Sequence, residues 1–243
     1  MLVAAAVCPC PPLLVPEVAA GAAPELDVAR AACTDALGVL AASRPDLLVV
    51  VGPTAGAQAG EYPQGAPGSF RGFGVDAAVR LGVAAETEAD TGVVGDGELP
   101  ASLAVGAWLL ERTGWADAPI EGLGVEETLA PERCAETGRE IAARARRVAL
   151  LVMGDASACR TLKAPGYLDE RAAPFDAAIA RALGSADVTA LAALDTEQAH
   201  QLKASGRAPW QVLAGAAVGA DLTGALLYDD APYGVGYMVA TWS

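Results

Sequence analysis

The chain has 243 residues, 53% hydrophobic and 19% charged, with a formal net charge of −14. This composition excludes a disordered chain, and the length suits one large α/β domain or two small ones whose core folds without disulfides or metal. The negative field disfavours nucleic acid and anionic membrane surfaces as partners, and the single histidine, His200, excludes sites built on two or more imidazoles.

The run from Leu2 to Cys8 is apolar, lacks a basic flank and is closed by Pro9, Pro11 and Pro12. It reads as a buried first strand rather than an export signal. Residues 17–43 carry apolar side chains at spacings of three and four, which predicts a helix. After Arg44-Pro45-Asp46, the run Leu47-Leu48-Val49-Val50-Val51 is a second strand, closed by Gly52-Pro53. Strand, helix, strand is the unit of a sheet covered by helices, and unbroken apolar runs fit strands buried on both faces.

Residues 55–74 are rich in Gly, Pro, Gln and Ala and read as a long loop. A strand is predicted from Val75 to Val83, then an acidic, Gly-rich stretch over 84–98. Pro100 to Arg112 reads as a helix, Pro119 to Val125 as a strand, and Pro131 to Arg147 as a helix with Arg144, Arg146 and Arg147 near its negative end. Val148 to Met153 is the third clear buried strand. Helices are expected over 174–183, 190–203 and 209–219, and closing strands over Leu222 to Tyr228 and Gly234 to Thr241. The alternation predicts a single α/β domain over residues 1–243, with a mixed, mostly parallel sheet flanked by helices on both faces. No apolar run is long enough to span a bilayer. The five cysteines, Cys8, Cys10, Cys33, Cys134 and Cys159, are odd in number and irregularly spaced, which fits free thiols in a reducing cytoplasm.

Open α/β sheets place their sites at the carboxyl ends of the strands. Three such ends read Cys8-Pro9-Cys10-Pro11-Pro12, Gly52-Pro53-Thr54 and Gly154-Asp155-Ala156-Ser157-Ala158-Cys159. If they converge, Cys10, Thr54, Asp155, Ser157 and Cys159 share a cleft. Each has a plainer reading. Buried free cysteines behave as small hydrophobes. Ser157 lacks a G-x-S-x-G setting and reads as a loop-capping serine. Asp155 is a base, a ligand or a helix cap. His200 lies in a polar helical stretch and reads as a surface residue. Arg160 and Lys163 read as solvated, as do Glu86, Glu88, Asp90, Asp96 and Glu98, which lack the spacing of a calcium loop. Gly234-Val235-Gly236 lacks the following glycine of a dinucleotide fingerprint.

The segment from Val7 through Cys10-Pro11-Pro12 to Val18 resembles the N-terminus of class III extradiol ring-cleavage dioxygenases, the LigB-like superfamily, where His-Pro-Pro stands in place of Cys10-Pro11-Pro12. Arg44-Pro45-Asp46 with Gly52-Pro53-Thr54 is similar to the second family motif, which ends in His. Asp90-Thr91-Gly92 resembles Asp-His-Gly, and Gly154-Asp155-Ala156-Ser157-Ala158 resembles Gly-Asp-Leu-Ser-His. Pro174-Phe175-Asp176 and Ala231 to Tyr237 complete an ordered resemblance over nearly the whole chain. It implies a central mixed sheet between helices, and iron(II)-dependent opening of catechol-type rings by two histidines, a glutamate and an acid/base histidine. Here those histidine positions hold Cys10, Thr54, Thr91 and Ala158, and Ser205 to Gln211 offers no carboxylate. The resemblance therefore implies a scaffold that has lost its iron(II). No metal and no other cofactor is expected, and the former cleft would be formed from Cys10, Thr54, Thr91, Asp155, Ser157, Ala158 and Cys159. It would bind a small molecule or a protein partner without ring cleavage. Two other readings stand beside this one. One is an active oxidoreductase of the extradiol-dioxygenase type, or another enzyme of altered chemistry using Cys10, Asp155, Ser157 or Cys159. The other is an assembly role in which the active unit is a homo-oligomer.

Overall fold

The computed structural model describes residues 1–83 and 97–243. In chain order its strands are β1 (Leu2–Cys8), β2 (Leu47–Thr54), β3 (Gly60–Tyr62), β4 (Pro67–Ser69), β5 (Ala78–Arg80), β6 (Ile120–Glu126), β7 (Val148–Met153), β8 (Gly224–Asp230) and β9 (Tyr237–Trp242). Its α-helices are α1 (Pro16–Ala19), α2 (Asp27–Ala42), α3 (Ala101–Thr113), α4 (Pro131–Ala143), α5 (Ala172–Gly184), α6 (Val188–Ala192), α7 (Thr196–Gln201) and α8 (Arg207–Ala216).

Seven strands form one sheet in the order β3-β6-β2-β7-β1-β9-β8. The middle strands β6, β2, β7 and β1 run parallel. Strands β3, β9 and β8 join antiparallel at the two sides. The expected α/β class and the mixed, mostly parallel sheet are both present. All eight residues of β2 and all six of β7 are buried, as their unbroken apolar runs require.

Alternation along each strand sorts the core into two layers. Val7, Val49, Val51, Leu150 and Val152 face α4, α5 and α8. Ala6, Cys8, Leu48, Val50, Leu151 and Met153 face α2 and α3. Among the described residues, no helix is long and apolar enough to cross a membrane.

Several boundaries differ from expectation, each for a local reason. The helix expected over 17–43 is broken: α1 gives way to a 3₁₀ stretch over Ala20–Leu26 with Pro24 inside it, and α2 begins only at Asp27. Proline lacks the N–H that a continuous helix needs. The loop expected over 55–74 contains β3, which pairs with β6, and β4, which pairs with β5. The strand expected over Val75 to Val83 contracts to β5. The helix expected to reach Arg147 ends at Ala143. Arg144 turns out to Glu61 and Glu121, at 2.5 and 2.6 Å. The helix expected over 190–203 is two short ones, because Asp187 and Asp195 each cap a new start by accepting from Ala190 N and Gln198 N. The acidic residues Glu86, Glu88, Asp90 and Asp96, together with Thr91, lie outside the described residues.

Candidate functional site

The sheet register sets in line residues in or two beyond the ends of five strands. Thr54 pairs with Glu126 between β2 and β6. Val51 pairs with Val152, the last pair between β2 and β7, and Thr54 and Asp155 each lie three residues further along their segments at the same sheet edge. Cys8 pairs with Met153 between β1 and β7, which brings Cys10 beside Asp155. Val7 pairs with Ala240 between β1 and β9, which brings Tyr237 beside Cys10. The result is a row, Glu126-Thr54-Asp155-Cys10-Tyr237, across the carboxyl edge of the parallel strands. Alternation also puts all five on one face, the face covered by α2 and α3. Cys10 and Tyr237 belong to the core layer on that side.

Hydrogen bonds fix the middle of the row. The backbone N–H of Cys10 donates to Asp155 Oδ1 at 2.8 Å. The backbone N–H of Asp155 donates to Ser205 Oγ at 3.2 Å, and that of Gly206 donates to the Asp155 carbonyl at 2.9 Å. The turn before α8 therefore lies directly against the end of β7. Glycine at both places allows it: a Cβ on Gly154 would fall 2.4 Å from Gly206 Cα.

Asp155 is half-buried and caps no helix. Burial pushes its carboxyl up to about 7; the Cys10 N–H opposes this shift and the Glu127 charge adds to it. Burial also pushes the Cys10 thiol well up, with Asp155 and Glu127 adding and a Ser205 hydrogen bond opposing. Tyr237 is pushed up by burial first, then by Asp155, Cys10, Tyr233 and Tyr228. At neutral pH the row thus presents a neutral thiol, a neutral phenol and a carboxyl near its midpoint. Thr54 is 6% exposed and its Oγ1 has no hydrogen-bond partner among the described residues.

The rest of the third strand end does not join the row. Ser157 is fully buried. Its N–H and Oγ each donate to Asp176 at 2.9 Å, and Arg160 reaches the same carboxylate at 2.9 Å. Ser157 is neither a nucleophile in a cleft nor a loop cap. It fastens the loop after β7 to α5, and Arg160 is the ionic partner of Asp176 rather than a solvated residue. Ala158 is held by backbone bonds to Leu202 and Gly166. Cys159 is buried, its thiol lies 3.5 Å from the Leu202 carbonyl, and its charged neighbours are Asp169, Lys203, Asp176 and Arg171. None of these is a neighbour of Cys10. His200 is exposed in the last turn of α7, and Lys163 and Glu98 are exposed. Of the expected cleft residues, the structure brings Cys10 and Asp155 into contact and places Thr54 at the end of the next strand, β2. The sequence reading missed Glu126, Glu127, Ser205 and Tyr237; only strand register and the turn into α8 reveal them.

These residues do not fit iron(II). A non-haem iron site needs imidazole and carboxylate donors held around open positions. At the positions that resemble family ligands, Cys10 offers a thiol and Thr54 only a hydroxyl in place of imidazoles. Among the described residues, no group of three or more His, Cys, Asp or Glu side chains is placed to hold a metal ion.

No protein-family model matches the chain, and no curated protein matches it. Solved structures do. An uncharacterized protein from Escherichia coli K12 is similar at a TM-score of 0.51 and 15% identity, over 99% of each chain. At that identity the likeness shows the fold: an α/β chain of the same architecture throughout its length.

Proposed function

We propose that this chain is a LigB-like protein that has given up its iron centre and binds a small molecule along the row at the carboxyl edge of its sheet. The observation that carries this reading is the donor set. Segments that resemble the superfamily's motifs stand in the same order along the chain, while the positions that would ligate iron hold Cys10 and Thr54. Asp155, the Thr54 hydroxyl and the Tyr237 phenol supply hydrogen bonding without a metal. All five cysteines are free and buried, which suits a reducing compartment such as the cytoplasm.

The test is turnover. The protein, incubated anaerobically with iron(II) and ascorbate and then given catechol and air, should consume no oxygen above the protein-free control and form no ring-opened chromophore. Ring opening at enzymatic rates would overturn the reading.

Asp155 favours a second reading. A carboxyl near pKa 7 is suited to taking and returning a proton at neutral pH, so a metal-free proton-transfer enzyme would use it as base. A rate that rises through pH 7 and is lost in Asp155→Asn would mark that activity.

A further inference from the structure

The chemistry of the row is one-sided. Its ionisable members are Glu126, Asp155, Cys10 and Tyr237, and Glu127 acts on both Cys10 and Asp155. The carboxyls that act on the row are Asp155 and Glu127, the thiol and phenols beside them are neutral at neutral pH, and no cationic side chain acts on Asp155, Cys10 or Tyr237. The buried guanidinium of Arg207, near Glu127, is committed elsewhere. It donates to the carbonyls of Glu127 and Leu129 and to Gln211 Oε1. An anionic ligand would meet repulsion here and a cation would not.

Two further observations point to a ligand independently of charge. Thr54 is 94% buried by its 6% exposure, shares the face of Asp155, and has a hydroxyl with no partner among the described residues. A buried hydroxyl left unpaired costs stability that an incoming polar group would restore. Beyond Cys10 the row runs into aromatic rings: Tyr237 is close to Tyr233 and Tyr228, and all three pack in the same layer. Aromatic faces attract organic cations. An inorganic divalent ion would need several carboxylates converging, and among the described residues no such set exists.

We propose that the row seats an organic ammonium ion, with the Asp155 carboxylate as counter-ion, the Thr54 hydroxyl as acceptor and the Tyr237 ring alongside. This rests on the small-molecule reading above and adds the sign of the ligand's charge. The arriving cation stabilises ionised Asp155, so complex formation releases a proton to solvent near neutral pH.

Three probes of one shape separate the possibilities: benzylammonium, benzyl alcohol and benzoate, each titrated calorimetrically into the full chain. Benzylammonium should bind about tenfold or more tightly than the alcohol, with benzoate weakest. Asp155→Asn should abolish the preference for the cation. Thr54→Val keeps the side-chain shape and should weaken benzylammonium about threefold to tenfold. It serves as the second variant should Asp155→Asn fail to fold. Equal or tighter binding of alcohol or benzoate would overturn the charge inference and leave small-molecule binding standing. An unchanged preference in both variants, or displacement of benzylammonium by stoichiometric Mg²⁺, would overturn the inference too. Binding of none of the three would take down both this inference and the reading it rests on.

Discussion

Asp155 is the residue on which the most chemistry turns. Its carboxyl titrates at about 7 in the fold, against 3.8 as the ordinary value. The sign follows from linkage. Below the ordinary value both folded and unfolded chains are protonated, and the group costs nothing. As pH rises from about 4 to about 7 the unfolded chain ionises while the fold retains its proton, so stability falls throughout that window. Above it the full penalty remains. Asp155→Asn keeps an oxygen to accept from Cys10 N–H and removes the titration. The melting temperature of the wild type should therefore fall by a few degrees between about pH 5 and pH 8, and that of Asp155→Asn should fall by clearly less, the remainder coming from groups such as Asp176, whose carboxyl burial also pushes up. Thermal unfolding followed by circular dichroism reads this directly; parallel profiles for the two proteins would refute the account of Asp155. The sequence placed Asp155 just after a strand but left it open as a cap, base or ligand. That choice depends on which N–H it faces, and Cys10 lies 145 residues away. For the same reason Ser157 was misplaced: its partner Asp176 is 19 residues on, in α5, and nothing in the local pattern announces it.

Among the elements, the three buried strands were legible because an unbroken apolar run has one economical use in an α/β chain. Strands β1, β2 and β7 occupy the expected ranges to within a few residues. Short elements were not legible. Strand β3 is three residues, Gly60–Tyr62, and owes its existence to pairing with β6; no alternation can show over that length. The contact between α4 and α8 was equally hidden. A Cβ on Gly138 would fall 2.1 Å from the Val212 carbonyl oxygen, and one on Gly215 would fall 2.3 Å from the Ala135 carbonyl oxygen. The two backbones therefore approach as only glycine permits. Gly138→Ala or Gly215→Ala should destabilise the protein by about 1–3 kcal/mol, the range typical of overpacking, measured by urea unfolding. A change below about 0.5 kcal/mol, the size usual for surface substitutions, would show that the helices part freely. Helix α8 also carries Ser205 and Gly206 at its entry, so loosening it should disturb the row at Asp155 as well.

At the scale of the whole molecule, strand order gathers scattered residues along one sheet edge. Positions 10, 54, 126, 155 and 237 are spread over most of the chain, yet register sets them in one line on one face. Sequence patterning placed Cys10, Thr54 and Asp155 at strand ends, and the structure has them there. Patterning could not supply Glu126 or Tyr237, because register between distant strands is a tertiary property. The protein's net charge of −14 adds a long-range field of the same sign as the row. The likeness to a solved structure over 99% of both chains shows that the architecture is shared at 15% identity. A scaffold of this size retains its fold without a metal to organise it. The central proposal is that the residues at the strand ends do not hold iron. Its most direct test is the metal content of the purified protein after anaerobic loading with excess iron(II) and desalting. The account predicts iron far below one atom per chain; one tightly held iron per chain, lost on substituting Cys10 or Asp155, would contradict it.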